Sequence, residues 1–112
     1  SNLGYLFKAL GKLREAEVSL RKAIDIKPDY ANAYYNLGNI LIDLGKLQEA
    51  EVSLRKAIEI KSDYAEAYYN LGNILRILGK LEEAKLCSEK IISKRSWSIL
   101  GSYSFNREMK LD

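Results

Sequence analysis

The chain of 112 residues is 47% apolar and 29% charged, and its net charge of +3 comes from 18 basic and 15 acidic residues. This composition suits one small folded unit, and it argues against a membrane-embedded chain because no apolar run approaches the roughly 20 residues that span a bilayer. The excess of positive charge is mild and no basic block occurs. We therefore expect neither a nucleic acid nor a membrane as partner.

Histidine is absent and Cys87 is the single cysteine. A structural zinc site needs about four Cys and His ligands, so the chain cannot build one alone. The usual general base near neutral pH is missing, and no motif pairs a nucleophile with a base. We expect no enzymatic activity, no metal and no cofactor. The lack of a possible intrachain disulfide favours a cytoplasmic location.

Internal repetition dominates the sequence. The string AYYNLGNIL at 33–41 recurs at 67–75, and EAEVSLRKAI at 15–24 recurs at 49–58, so both recur after 34 residues (33 to 67, and 15 to 49). The same spacing separates three glycines: Gly11, Gly45 and Gly79. A fixed period of this length predicts a stack of similar structural units rather than a single irregular domain.

Within each period the apolar residues follow a helical spacing. Tyr34, Leu37, Leu41 and Leu44 fall at i, i+3, i+7 and i+10, which places them on one face of a helix. Gly45 follows where a helix C-terminus favours a left-handed residue. The spacing predicts helices near 2–10, 13–26, 30–43, 47–60, 64–77 and 81–94. Two aspartates precede helices of this set and are predicted to cap them: Asp29 and Asp63.

The period and the residue order resemble the tetratricopeptide repeat family. Tyr34, Leu37, Gly38, Leu41 and Ala50 stand in the order of that family's pattern, although Tyr replaces the usual Trp. The resemblance implies an all-α right-handed solenoid of antiparallel helix hairpins, with about three repeats and a possible C-terminal capping helix. It also implies a protein–protein interaction scaffold that binds a peptide or an extended protein segment in its concave groove.

The ends of the chain depart from the repeat. Aligned on the period, the chain divides into a repeat array over 1–96, made of a partial repeat 1–30 and repeats 31–64 and 65–96, followed by 97–112. Ser1 aligns with Tyr35, so we expect the natural protein to continue N-terminally. Phe105 and Met109 keep apolar positions of the pattern, which favours a degenerate capping helix over about 99–110. A disordered tail remains the alternative, because the preceding stretch is rich in Gly and Ser.

The resemblance also implies which residues line the concave face. They are the side chains of the first helix of each pair that lie opposite the apolar stripe: Asn2, Tyr5, Asn32, Tyr35, Asn36, Asn39, Glu66, Tyr69, Asn70, Asn73 and Arg76. The asparagines recur once per repeat and resemble the asparagine ladder of O-linked N-acetylglucosamine transferases. An amide can pair with a peptide backbone without reading its sequence. Alternatively, the asparagines serve to hydrogen-bond neighbouring helices to each other.

One branch of the family holds chaperone C-terminal tails through a carboxylate clamp of Lys, Asn, Asn, Lys and Arg. The corresponding positions here are Ser1, Tyr5, Asn36, Glu66 and Asn70, of which only Asn36 matches. Capture of a chaperone tail is therefore not expected.

Two other functions stay open at this point. The chain is alternatively the substrate-recruiting arm of a larger enzyme, or a self-assembly module. Apolar side chains crowd the first predicted helix, at Leu3, Leu6, Phe7 and Leu10. No preceding repeat covers them, which favours a homodimer formed by end-to-end stacking or by exchange of the segment 97–112.

Overall fold

The fold is all-α throughout the part of the chain that the computed structural model describes, residues 2–92. Four helices have defined bounds: α1 (Asn2–Ile26), α2 (Ala31–Asp43), α3 (Leu47–Ile60) and α4 (Ala65–Ile77). Residues 81–92 form a fifth helical segment, α5. None of the described helices combines the length and apolar content that a membrane span requires. The sequence prediction for residues 97–112 lies outside the described residues.

The first helix differs from the sequence prediction. Helices at 2–10 and 13–26 were expected, but α1 runs without interruption from Asn2 to Ile26 and includes Gly11. Gly45 and Gly79 have φ values of 78° and 80°, and they are the only described glycines with positive φ. The prediction of a first hairpin is therefore wrong. The reason is that Gly11 permits a left-handed turn without requiring one.

The next two glycines end their helices as predicted. After α2, the backbone N–H of Gly45 donates to the Ile42 carbonyl at 2.9 Å, and that of Lys46 donates to the Leu41 carbonyl at 2.8 Å. This pair of bonds around a left-handed glycine is the Schellman motif, which satisfies carbonyls that the helix itself leaves free. The same pattern follows α4 at Gly79. Each motif turns the chain into the second helix of a hairpin.

The first residues of α2 and α4 contradict a second sequence prediction, that of the capping residues. The N-cap positions of α2 and α4 are held by Tyr30 and Tyr64, not by Asp29 and Asp63, and neither N-cap makes a side-chain hydrogen bond to the helix. The aspartates lie one position too early in the chain to cap. The Lys61 Nζ atom instead lies 4.6 Å from the centroid of the Tyr64 ring, a cation–π contact that orders the turn.

The core lies between the helices and is built from the predicted apolar stripes. Leu41, Leu54 and Leu75 are at most 1% exposed. Small residues allow the helices to approach closely, since Ala50 and Ala57 of α3 are fully buried against their neighbours. Packing is continuous from α2 through α3 to α4, as expected for stacked repeats that each cover the next.

Ion pairs join one repeat to the next at equivalent places. Glu17 accepts from Arg21 at 2.9 Å and lies 3.4 Å from the Lys46 ammonium. One period later, Glu51 accepts from Arg55 at 3.0 Å and from Lys80 at 3.0 Å. The lysine in each case follows the glycine turn, so each lysine–glutamate pair ties the turn of a hairpin to the helix that precedes that hairpin.

These contacts favour the ionised carboxylates. The hydrogen bond from Arg21, with help from Lys46, lowers the pKa of Glu17. Burial opposes ionisation of Glu51, but the hydrogen bonds from Lys80 and Arg55 outweigh it and leave the pKa of that carboxyl below its usual value.

The lowered pKa values predict an acid-side loss of stability. A carboxyl whose pKa is lower in the folded state stabilises the fold above its unfolded pKa of about 4.3, and this contribution is lost as the pH falls through the folded value. Glu51→Gln should therefore flatten the decline in unfolding free energy below that pH, by less than about 1 kcal/mol for a partly exposed pair. Urea titrations across the acid range would measure it. Glu59→Gln, at a 71% exposed side chain of α3, is the control and should leave the decline in place.

Candidate functional site

Two shallow cavities lie side by side on the exposed side of α2 and α4, called the concave face below. The first measures about 300 Å³ and is lined by Tyr35, Ala65, Glu66, Tyr69, Asn70 and Ile91. The second measures about 280 Å³ and is lined by Asn39, Ile42, Asp43, Asn70, Asn73, Ile74 and Ile77. Asn70 borders both cavities. A bound polypeptide that crosses from one cavity to the other would therefore pass the Asn70 side chain.

The amide of Asn70 is fixed in position by the neighbouring repeat. Its Nδ2 donates to the Asn39 Oδ1 at 2.7 Å and lies 3.4 Å from the Tyr35 hydroxyl. Both contacts reach from α4 back to α2. With the Nδ2 group directed to these two partners, the Oδ1 atom is the polar group that Asn70 presents to a ligand.

Tyr35, which lines the first cavity, forms a ring pair with Tyr64. The rings of Tyr35 and Tyr64 lie 4.9 Å apart between centroids and are tilted by 31°. The Tyr64 hydroxyl donates to the Asn32 Oδ1 at 3.0 Å, and Tyr64 is only 7% exposed. Burial raises the pKa of this hydroxyl, which therefore stays protonated as a donor. Tyr64 and Asn32 thus join the start of α4 to α2.

Other side chains of the concave face are open to solvent. Tyr69 is 61% exposed and Ile77 is 69% exposed, and each lines one of the two cavities. Arg76 is exposed and donates to the Asn73 Oδ1 at 3.0 Å. Acidic groups line both cavities, with Glu66 in the first and Asp43 in the second. The surface therefore offers aromatic, aliphatic and amide groups beside carboxylates.

Comparison with known families agrees with this geometry. A family model described as TPR repeat matches residues 4–41 and 38–75, and a second model described as tetratricopeptide repeat matches residues 65–93. This chain belongs to the tetratricopeptide repeat (TPR) family. Comparison with curated protein sequences gave no match.

Solved TPR structures share the fold. The crystal structure of MamA superimposes with a TM-score of 0.76 at 28% identity, over 87% of this chain and 57% of the MamA chain. The second TPR of Spaghetti (RPAP3), bound to the HSP90 peptide SRMEEVD, gives a TM-score of 0.70 at 27% identity over 81% of this chain and 84% of its own. YrrB, described as a TPR protein with an unusual peptide-binding site, gives 0.61 at 34% identity over 66% and 38%. This chain thus spans little more than half the length of MamA.

The structure brings together about half of the residues predicted for the TPR concave face. The residues that line the two cavities are Tyr35, Asn39, Glu66, Tyr69, Asn70 and Asn73. Asn36 is exposed but lines neither cavity, and Asn32 is occupied by Tyr64. Asn2 and Tyr5 lie on the N-terminal extension of α1, because that helix does not turn back at Gly11. They do not continue the asparagine columns of α2 and α4.

Sequence reasoning missed Ile91 as part of the site. Ile91 lines the first cavity from α5, the second helix of the last described hairpin. The signal was present in the repeat itself, because Ile91 stands one period after the fully buried Ala57. A bulkier residue at a position that is otherwise small thus brings a side chain of α5 to this cavity.

Residues 2–92 lack the side-chain clusters of a metal-dependent catalytic site. No cluster of three or more His, Cys, Asp or Glu side chains that could hold a metal occurs in this range. Cys87 is buried, and burial raises the pKa of its thiol, which disfavours the reactive thiolate. Its neighbour across the helix pair is Gly72. The thiol therefore belongs to the packing between two helices of the TPR array.

Proposed function

We propose that this chain is a protein-interaction scaffold that binds an extended polypeptide segment across the concave face, over both cavities. It acts by binding, with no catalytic step of its own. The observation that carries the proposal is the position of Asn70 between the two cavities, with its Nδ2 directed to Asn39 and Tyr35. A fixed amide in the middle of a groove suits a backbone N–H of the bound segment.

The groups around Asn70 suit side chains on either side of that backbone contact. Tyr69 offers a flat, exposed ring, and aromatic side chains supply contact area at a low cost in conformational entropy. Ile42 and Ile77 line the second cavity and suit an apolar side chain. The ligand in this proposal is therefore an extended segment with an apolar residue flanking its central peptide group.

The charged side chains of the concave face indicate what charge the ligand should carry. The second TPR of Spaghetti binds a peptide, SRMEEVD, that is acidic at its C-terminal end. Here the clamp positions that should be basic carry Glu66 and Asn70, and Asp43 adds a second carboxylate nearby. Like charges repel across an interface. We therefore propose a neutral or basic segment as the partner, and not an acidic C-terminal tail.

Panning of a random peptide library on the immobilised chain tests the proposal. The bound pool should be enriched in neutral and basic peptides and depleted of acidic ones. Tyr69→Ala should weaken the affinity of a selected peptide at least about fivefold, since a central aromatic contact is worth more than about 1 kcal/mol. The affinity would be measured by fluorescence anisotropy of the labelled peptide.

Leu86→Ala is the matched control, because Leu86 is 59% exposed, close to the 61% of Tyr69, but lines a different groove beside Ile58 and Cys87. It should leave the affinity unchanged. Glu66→Lys should shift the selected pool towards acidic peptides. Equal losses in Tyr69→Ala and Leu86→Ala, or a pool with no enrichment over a blank surface, would refute binding at the concave face.

A further inference from the structure

The N-terminal end of α1 extends past α2, the helix that packs on it. α1 has 25 residues and α2 has 13, so α1 is about 18 Å longer at 1.5 Å per residue. The turn that follows α2 passes Glu17, which lies 3.4 Å from the Lys46 ammonium. Residues 2–10, called the arm below, therefore lie beyond the end of α2. All of residues 2–9 are exposed.

One side of the arm is apolar. Leu3, Leu6 and Phe7 are 60%, 54% and 63% exposed, and Leu10 is half-buried. At 100° per residue these four side chains, called the arm stripe below, fall within about 100° of the helix circumference. A short helix is only marginally stable alone in water, and it gains stability when an apolar stripe of this kind is covered.

The charged side chains of this segment lie away from the arm stripe. Lys8 and Lys12 lie about 150° or more around the helix from the centre of the stripe, and residues 2–12 contain no acidic side chain. Two arms can therefore meet through their stripes while these lysines stay in solvent. Pairing then buries no lysine and sets no lysines of the two copies against each other, so neither desolvation nor repulsion of these charges opposes it.

The spacing of the arm stripe is matched by a second copy of itself. The four positions follow each other after three, one and three residues, so the spacing is the same when it is read from either end. In an antiparallel pair, Leu3 of each arm lies opposite Leu10 of the other, and Leu6 lies opposite Phe7. Such a contact is isologous, because the same surface serves on both partners. A second copy of the chain therefore provides a complementary stripe without any further requirement.

The neighbouring helix leaves room for a second arm. Leu20 and Ile24 of α1 pack on the core. These two side chains lie about 70° around α1 from the centre of the arm stripe, and more than about two turns further along the helix. A second arm therefore approaches α1 on a side that α2 does not occupy.

We infer that this chain forms an antiparallel dimer in which the arm stripes of two copies pack on each other. Pairing covers three largely exposed side chains of each copy, which removes on the order of 500 Å² of apolar surface from water. Stable interfaces bury at least about 1,200 Å² in total, so this dimer is weak and dissociates in the micromolar range or above. No arm residue lines the two cavities of the concave face. The dimer thus carries two concave faces, and it goes beyond the proposed binding function.

Light scattering coupled to size exclusion, from micromolar to millimolar protein, tests the pairing. The mass should rise with concentration from 12.8 kDa towards twice that value. Phe7→Asp should lower the association constant at least about tenfold, because it places an unpaired charge in the contact. Tyr5→Asp is the matched control, since Tyr5 is 76% exposed on the far side of the arm, and it should leave the association unchanged. A monomer at millimolar concentration, or equal losses in the two variants, would overturn the inference.

Cysteine cross-linking tests the antiparallel register. Leu3→Cys and Leu10→Cys are made in separate chains, each with Cys87→Ser to remove the native thiol. Oxidation of the two variants mixed together should give a covalent dimer on a non-reducing gel, whereas each variant alone should give little. In the antiparallel pair the two copies of position 3 are about 10 Å apart along the helix axis, and a disulfide needs Cα atoms within about 7 Å. Covalent dimers of each variant alone, at the rate of the mixture, would contradict this register.

A membrane surface is the other partner that a helix with an apolar stripe opposite lysines can meet. Co-sedimentation with vesicles of phosphatidylcholine and phosphatidylserine separates the two cases. A chain that stays in the supernatant while it self-associates in solution supports the dimer. Vesicle binding that Phe7→Asp abolishes, together with a monomer in solution, would assign the arm stripe to lipid and refute the dimer.

Discussion

Replacing Leu54 with alanine is expected to lower the free energy of unfolding by about 2–5 kcal/mol, the range for truncation of a large buried aliphatic side chain. Leu54 is fully buried in α3 and contacts the face of α2 around Gly38. Because a small domain has only about 5–15 kcal/mol of stability, this variant should lose a large part of the total. Urea denaturation followed by circular dichroism at 222 nm would measure the change.

Leu20→Ala is the matched control because it removes the same side chain from the same local sequence, one period earlier. Leu20 is only partly buried, so its truncation should cost about 1 kcal/mol at a protein concentration low enough to keep the chain monomeric. Equal losses in the two variants would mean that the first helix is covered like the second hairpin, contrary to the continuous α1.

Gly38→Ala is expected to destabilise the fold even though alanine is the better helix former. The added methyl group would lie 2.8 Å from the Cγ and 2.9 Å from the Cδ2 of Leu54, and this buried side chain has no room to move away. Overpacking of this kind costs about 1–3 kcal/mol, against a gain of about 1 kcal/mol in helix propensity. We expect a net loss of about 1 kcal/mol, measured as a shift of the denaturation midpoint.

Gly72→Ala makes the same substitution at the equivalent position and should have the opposite sign. Its nearest contact would be the Cys87 Cβ at 3.4 Å, an ordinary van der Waals distance, so the gain of about 1 kcal/mol in helix propensity dominates. The two variants should therefore differ by about 2 kcal/mol. Stabilisation in both would show that the Gly38–Leu54 contact relaxes without cost.

The sequence was sufficient to predict most of the fold. The 34-residue period placed α2, α3 and α4 within one residue of their observed bounds, because each has a full apolar stripe and a glycine that ends or precedes it. It also predicted the left-handed glycines at the turns, Gly45 and Gly79. These features are local, and local spacing is what a sequence pattern records.

The first hairpin could not be judged from the same pattern. Gly11, Gly45 and Gly79 share the local sequence Leu-Gly-Lys-Leu, yet one is helical and two are turns. What differs is the packing on either side, since α2 and α4 are each covered by neighbouring helices. A turn at glycine is adopted where burial of the returning helix offsets the lost helical bonds, and this depends on contacts distant in sequence.

The site was predictable in part. The position of Asn70 on the exposed side of α4 followed from helical spacing, but its bond to Asn39 did not, because it depends on how two neighbouring repeats are offset. Asn70 ties α4 to α2, as the structural interpretation of the asparagines expects, and it also borders both cavities. The binding role of the asparagines stays a prediction. The contribution of Ile91 to the first cavity could not be predicted either. It depends on how α5 packs against its neighbouring helices.

The hydrogen bonds that join neighbouring repeats have a consequence for how quickly the array can fold. They link residues between 29 and 35 positions apart, as in the bonds from Lys46 to Glu17 and from Asn70 to Tyr35. Each hairpin among residues 2–92 can therefore form and dock on the previous helix after closing a loop of about a single period. Loop-closure entropy grows with the number of residues enclosed. Folding should thus propagate from any hairpin that forms first, and an added repeat should lengthen the array without adding a slower step.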